Sequence, residues 1–436
     1  HWLAFAEWRW LRTRDDAWRD IYFFWLKIFA VSFGMGVVSG IVMSFQFGTN
    51  WAVLSERAGN ILGPLLSYEV LTAFFLEATF LGVMLFGWKR VSHKVHFLST
   101  CMVALGTLLS TFWIISANSW MQTPQGYVID AAGYFQPADW WAIVFNPSFP
   151  YRLAHMVLAA FITTCFVIGG VSAWYMVRGD HFAAGRRGLK LAVAFAAIAV
   201  PLQILAGDLH GLNTLEHQPV KVMAMEGHYD SHPDGAPLIL FGLPDDARQR
   251  VDHAVAIPKL SSLILRHDMN APLDGLDTVD RSLHPPVAIV FWSFRVMVAL
   301  GLAMLALGAW SLLARLRGRL YDWPALHRAA LAMAPAGFVA VIAGWITTEV
   351  GRQPFTVHGL LTTAESASPL DAPAVGASLL AFIVVYFIVF GFGTWYILRL
   401  MAKGVQAREP AVDGDEGPIR TAGITPGPAE RIAGGG

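Results

Sequence analysis

The sequence predicts an all-α fold, a polytopic transmembrane helical bundle, and three observations predict it. Hydrophobic residues make up 55% of the 436 residues and charged residues only 14%, with a mean hydropathy of +0.50, far from the balance of an ordinary water-soluble domain. Apolar stretches long enough to cross a hydrocarbon core, roughly 20 residues per helix, recur along the chain. Lys and Arg gather in alternate connections between those stretches, the pattern that orients membrane helices.

Taken in order, the chain opens on His1-Trp2-Leu3-Ala4-Phe5-Ala6, an apolar helical pattern that runs into the charged turn Glu7 to Arg14. It reads as the remnant of a span whose start lies upstream, since no initiator Met, charged n-region or small-residue cleavage site precedes it. Eight full spans follow, near residues 21–47, 65–88, 95–117, 151–177, 188–207, 286–314, 325–347 and 376–401. Counting the remnant, these are the second to the ninth.

The connections carrying Arg9, Arg12, Arg14 and Arg19, then Lys89, Arg90 and Lys94, then Arg178, Arg186, Arg187 and Lys190, then Arg315, Arg317, Arg319 and Arg328, and finally Arg399 and Lys403, are predicted to face the cytoplasm. The intervening short connections hold chiefly Arg57, Arg152 and Arg352. The expected organisation is therefore helices over 1–207, a polar outer (periplasmic) loop over 208–285, the last three spans over 286–403, and a Gly- and Pro-rich cytoplasmic tail over 404–436, too poor in apolar residues to fold. The N-terminal side is expected outside. Cys101 and Cys165 fall in separate spans without zinc or c-type haem spacing. Zero net charge gives no sign of a nucleic-acid partner.

Ionisable groups at membrane depth are costly and ask for a reason. Glu69 and Glu77, eight positions apart in the third span, fall within about 80° of one another at roughly 100° per residue, so one face can carry both. Ser110 and Asn118 repeat that separation in the fourth span and suit a hydrogen-bonded proton route, with cross-helix bonding as the plainer alternative. His155 lies about one turn below the outer surface in the fifth span, and Arg295 and Met297 lie at a similar depth in the seventh. His and Met form a recognised axial pair for low-spin haem, and the thioether raises the potential. Arg295 would add positive charge beside haem carboxylates. Glu349 and Arg352, three apart at the outer end of the eighth span, can pair across one turn, with Pro354 ending the helix.

With these residues in view, the chain resembles subunit I of cytochrome bd-type quinol oxidases across nearly its whole length. The strings that carry the resemblance are Gly351-Arg352-Gln353-Pro354, Trp292-Ser293-Phe294-Arg295-Val296-Met297, Ala117-Asn118-Ser119-Trp120-Met121-Gln122 and Phe75-Leu76-Glu77. The outer segment Gln218-Pro219-Val220-Lys221-Val222-Met223-Ala224-Met225-Glu226 resembles the family's quinol-binding segment, in its shorter version. Phe355 stands where the signature usually has Trp, and the family's haem-ligating histidine near the outer start of the first span is not recognisable in this sequence, His1 being too close to the basic turn, so that ligand either lies upstream of His1 or differs.

The resemblance implies His155 and Met297 as axial ligands of a low-spin haem b, with Arg295 supporting it. It implies Glu349 as carboxylate ligand within a high-spin pair of haem b and haem d, with Trp345 between the macrocycles and Arg352 in the signature. Glu69, Glu77 and Ser110 would supply protons, and Lys221 and Glu226 would bind or deprotonate quinol. The implied reaction is oxidation of ubiquinol or menaquinol with reduction of O2 to water in a bacterial inner membrane, conserving energy without a pump. Implied partners are a second membrane subunit (subunit II), a small single-span subunit and the lipid bilayer. A haem-copper oxidase would need a cluster of membrane histidines, which the spans lack. The rival of a different class is an ion-coupled secondary transporter using Glu69, Glu77 and Glu349 near the midplane.

Overall fold

The computed structural model describes residues 1–180 and 183–405; the tail predicted over 404–436 lies, from 406 onward, outside the described residues. Helix follows helix: α1 (Trp2–Thr13), α2 (Asp16–Thr49), α3 (Ala52–Glu69), a π-helical turn (Val70–Phe74), α4 (Phe75–Phe86) and α5 (His93–Gln122). A small hairpin of β1 (Tyr127–Ile129) and β2 (Phe135–Pro137) precedes α6 (Trp140–Val144), α7 (Phe149–Val177) and α8 (Ala183–His217). The outer segment holds α9 (Pro219–Glu226), the antiparallel pair β3 (Leu238–Asp245) and β4 (Arg250–Ile257), and α10 (Leu260–Arg266). Then come α11 (Val287–Leu316), α12 (Pro324–Ala332), α13 (Ala336–Val350), the short pair β5 (Phe355–Val357) and β6 (Leu361–Thr362), α14 (Thr363–Ser366) and α15 (Ala372–Lys403).

Among the described residues, eight segments are long and apolar enough to cross a membrane: Asp16–Thr49, Ala52–Phe86, His93–Gln122, Trp140–Val177, Ala183–His217, Val287–Leu316, Pro324–Val350 and Ala372–Lys403. The predicted all-α bundle and its eight spans are borne out. Helices are the form that satisfies every backbone group within its own segment where water is absent. Caps fix several starts: Asp15 accepts from Ala17 N at α2, and Ser92 from Val95 N at α5.

Two helices run well past the apolar stretches that predict them. The third span begins at Ala52 rather than near 65, because Ser55, Glu56, Arg57 and Asn60 stay helical beyond the hydrocarbon; Glu69 therefore stands midway along the segment rather than near its outer end. α8 continues ten residues past 207 to His217, carrying polar residues into the outer layer. Apolar content marks where lipid is, and hydrogen bonding continues regardless.

Three buried clusters organise the bundle. Ile162, Phe166, Val193, Val200, Met304 and Leu307 join α7, α8 and α11. Ile61, Leu62, Leu65, Trp120 and Ile143 join α3, α5 and α6. Leu3, Trp10, Tyr22, Met84 and Val103 join α1, α2, α4 and α5. α8 and α13 each pack against both α7 and α11, so the helices that carry His155 and Met297 are tied through common neighbours.

Candidate functional site

The last turn of α13 places Glu349 beside Arg352, whose Nη2 donates to Glu349 Oε2. The other carboxylate oxygen accepts from Asn118 Nδ2 at 3.1 Å and Gln122 Nε2 at 3.4 Å, both on α5. Arg152 Nη2, from α7, donates to Asn118 Oδ1. Lys221 Nζ, from α9, donates to Gln122 Oε1 and to Gln218 Oε1, each at 2.6 Å. Four helices thus converge on one carboxylate.

The charge there is unbalanced. Arg152, Lys221 and Arg352 are only 6%, 4% and 8% exposed, yet among the described residues Glu349 is the single carboxylate bonded within this network, and its side chain is 32% exposed. Arg152 Nε and Arg352 Nε and Nη1 are buried without a hydrogen-bond partner. Burial above all, then the positive charge of Arg152 and Arg352, holds the Lys221 ammonium well below the ordinary lysine range. Buried cations in excess, with unused N–H groups, are chemically suited to an acidic ligand. The residues fit a carboxylate-bearing macrocycle, and an ionised carboxylate steadied by amide donors is a sound metal ligand.

His155 turns toward α8. Its ring nitrogen Nε2 lies 3.3 Å from Gln203 Nε2, Nδ1 is buried without a partner, and the ring sits 5.5 Å from that of His210. A Cβ on Gly207 would stand 3.2 Å from His155 Cε1, and one on Gly344 would stand 2.9 Å from Met297 Sδ. Glycine thus keeps space beside both predicted axial ligands. A half-buried imidazole with an uncommitted nitrogen fits a metal-bound macrocycle. Sequence reasoning missed His210 because it ended the helix at 207; Gln203, Gly207 and His210, spaced by four and three, are the helical signal that could have found it.

Other expected site residues bond to groups of the protein itself. Arg295, expected beside the low-spin haem, directs its guanidinium at backbone carbonyls: Met225 O at 2.7 Å, Ile239 O at 3.0 Å from Nε, Glu226 O at 3.4 Å and Phe291 O at 3.1 Å. It clasps the outer segment. Lys221 and Glu226, five positions apart on α9, bond to different groups. Glu226 is buried and accepts from Ser261 Oγ at 3.1 Å; burial pushes its carboxyl up, with Arg295 opposing.

Ser110 Oγ donates to Glu69 Oε1 at 2.8 Å, joining two members of the expected proton route, whereas Asn118 belongs to the Glu349 network. Glu77 is buried against α5, where a Cβ on Gly106 would collide with its Cγ. The π-helical turn between the glutamates resets the angle that a regular helix would give them, a device frequent at functional sites. Trp345 stands one turn before Glu349, partly buried. No group of three or more His, Cys, Asp or Glu among the described residues is placed to hold a bare metal ion.

The family model described as cytochrome bd terminal oxidase subunit I matches residues 1–405. The chain is 33% identical to the cytochrome bd ubiquinol oxidase subunit 1 of Bacillus subtilis (strain 168), over 93% of its own length and 88% of that protein's. It is 30% identical to the cytochrome bd-II ubiquinol oxidase subunit 1 of Escherichia coli (strain K12), over 94% and 93%. The solved bd oxidase of Geobacillus thermodenitrificans superposes with a TM-score of 0.83 at 30% identity, covering 92% of each chain. With the signature strings in order and a matching helical frame, the chain belongs to the cytochrome bd terminal oxidase subunit I family.

Proposed function

We propose that this chain is the haem-carrying subunit of a quinol:oxygen oxidoreductase, a respiratory terminal oxidase that takes electrons from membrane quinol through a low-spin haem b to a high-spin pair of haem b and haem d. Family membership supports the reaction class, and relatives named as ubiquinol oxidases support quinol as donor. The observation that carries the haem assignment is the excess of buried cation around Glu349: Arg152, Lys221 and Arg352 would take the acidic side groups of a porphyrin and Glu349 would ligate its metal. His155 and Met297 would hold the low-spin haem from α7 and α11. Bound haem iron supplies one-electron chemistry, ending in O2 reduction.

The protein's own part is to bind, orient and move protons. The segment α9 to α10 would receive quinol in the outer layer, with Glu226 as a buried proton acceptor. Ser110, Glu69 and Glu77 would hand protons taken from the cytoplasm toward the site of water formation. Release outside and uptake inside separate charge without a pump. Lys221, bonded to Gln122 and Gln218, is read as part of the cationic pocket first and of the quinol segment second. The expected setting is a bacterial inner membrane, with the N-terminal side and α9–α10 outward and α15 ending inward, beside a second membrane subunit and a small single-span one.

A visible difference spectrum of the purified oxidase tests this reading. Reduced-haem bands with a red band of a chlorin are expected, together with quinol-driven O2 consumption. Protein free of haem bands that couples ions to solute uptake through Glu69, Glu77 and Glu349 would replace the oxidase with a transporter.

A further inference from the structure

Four helices meet at a polar cluster near the opposite end of the bundle from Glu349. His96 Nδ1 and Glu7 Oε1 are 2.6 Å apart, Thr100 Oγ1 donates to Glu7 Oε2 at 2.6 Å, and Tyr22 Oη lies 3.2 Å from Thr100 Oγ1. His96 Nε2 lies 3.1 Å from Met84 O. Glu7, His96 and Tyr22 are 0% exposed and Thr100 is 2%. A carboxylic acid and an imidazole sealed together away from water are costly, which makes the pair a functional candidate rather than an idle contact.

Its position supplies what the proton route lacks. Beyond Glu77, α4 runs through Ala78 to Phe86 without an ionisable residue, and α5 offers only Cys101 between His96 and Gln122. On α5, His96, Thr100, Thr107 and Ser110 fall within about 80° of one another at roughly 100° per residue. Ser110 bonds Glu69, and Gly106, one position before Thr107, is the floor on which Glu77 rests. Thr100 and Gly106 are six residues apart, about 9 Å along a helix. Toward the basic face, the His96 ring packs 4.9 Å from Trp88, which lies 4.8 Å from Trp10, and the exposed ring of His93 stands 5.0 Å from Trp10 in the turn after the basic Lys89 and Arg90.

We propose that Glu7, His96, Thr100 and Tyr22 form the loading station through which protons from the basic side of the membrane enter the route to Glu77 and Glu69. A proton arriving at the Glu7–His96 pair is shared across their short hydrogen bond. Once the Thr100 hydroxyl has turned its hydrogen away from Glu7, its oxygen accepts a proton from Glu7 and its own proton passes by way of water toward Glu77, returning the Glu7–His96 pair to its starting charge as Glu77 is protonated. The inference rests on the oxidase reading and gives the proposed route its entrance.

The test uses the whole oxidase with its partner subunit, carrying Glu7→Gln, Thr100→Val or Tyr22→Phe, which preserve shape, with Glu77→Gln for comparison. Fully reduced enzyme is mixed rapidly with O2, proton uptake is followed with a pH-indicator dye, and haem content is measured separately. Uptake at least tenfold slower in Glu7→Gln and Thr100→Val, with full haem content and unchanged reduction of the haems by quinol, is the expected result. Wild-type uptake in those variants alongside slow uptake in Glu77→Gln overturns the loading station and leaves the route standing. Wild-type uptake in Glu77→Gln as well overturns the route. If Glu7→Gln fails to assemble, Thr100→Val, which retains the pair and removes only the hydroxyl, decides, and normal uptake there counts against the proposal.

Discussion

Lys221 Nζ and Gln122 Oε1 are 2.6 Å apart, which fastens an outer-layer lysine to the same α5 glutamine whose amide reaches Glu349. That link ties the segment expected to receive quinol to the carboxylate expected to serve the high-spin haem pair. It also puts a third buried cation beside Arg152 and Arg352.

Lys221→Gln is therefore predicted to lower the midpoint potential of the high-spin haem, because removing a nearby positive charge favours the oxidised iron. A shift on the order of 60 mV corresponds to a tenfold change in a one-electron equilibrium. Spectroelectrochemical titration measures it, and an unchanged potential with a raised KM for quinol would assign Lys221 to the substrate alone.

Arg295→Ala is predicted to loosen the outer segment before it disturbs any haem. The guanidinium satisfies Met225 O, Glu226 O and Ile239 O at once, and each buried carbonyl left without a donor costs about 1–3 kcal/mol. Hydrogen exchange across residues 219–257 should rise sharply, with Arg295→Lys intermediate; protection at the wild-type level would refute the clasp.

Acid should loosen the same segment. Burial first, then the neighbouring His232 and Arg295, hold His228 at a pKa of about 4 against an ordinary 6.5, although its bond to Pro237 O pulls the other way. The folded form then binds fewer protons than the unfolded one between these values, so stability rises with pH across that window and is lost as pH falls from about 6.5 toward 4. Local hydrogen exchange measured from pH 7.5 to 5 should show this loss, and His228→Gln should flatten it; an identical slope in the variant would show that another group is responsible.

Gly106→Ala is predicted to displace Glu77, since the new methyl would meet its Cγ. Turnover should fall on the order of tenfold or more, within the range that a positioned proton donor contributes, while quinol-driven reduction of the low-spin haem stays fast. Stopped-flow spectroscopy separates the two steps, and equal slowing of both would point to a general packing defect.

The bundle was legible in the sequence because lipid imposes a single rule, an apolar run per crossing, and α2, α5, α7, α11 and α15 obey it. The rule fails where helix outlasts lipid, as at Ala52 and at His210. Glu349, Arg352, His155 and Met297 were visible as ionisable or ligating groups at unsuitable depth. The sharing of Gln122 between Glu349 and Lys221, and the turning of Arg295 onto loop carbonyls, were not, because both depend on pairings between segments some 70 to 230 residues apart. Glu7 and His96 escaped notice for a related reason: each sits beside a basic turn and looks solvated until α1 packs on α5. The π-helical turn has no composition of its own.

The central claim is that His155 and Met297, on separate helices with glycine beside each, grip one low-spin haem. Low-temperature difference spectra with haem extraction, taken on His155→Ala and Met297→Ala, test it most directly. Selective loss of the low-spin haem signal, with the high-spin pair retained, is the predicted result; a low-spin signal of full amplitude in His155→Ala would contradict the account.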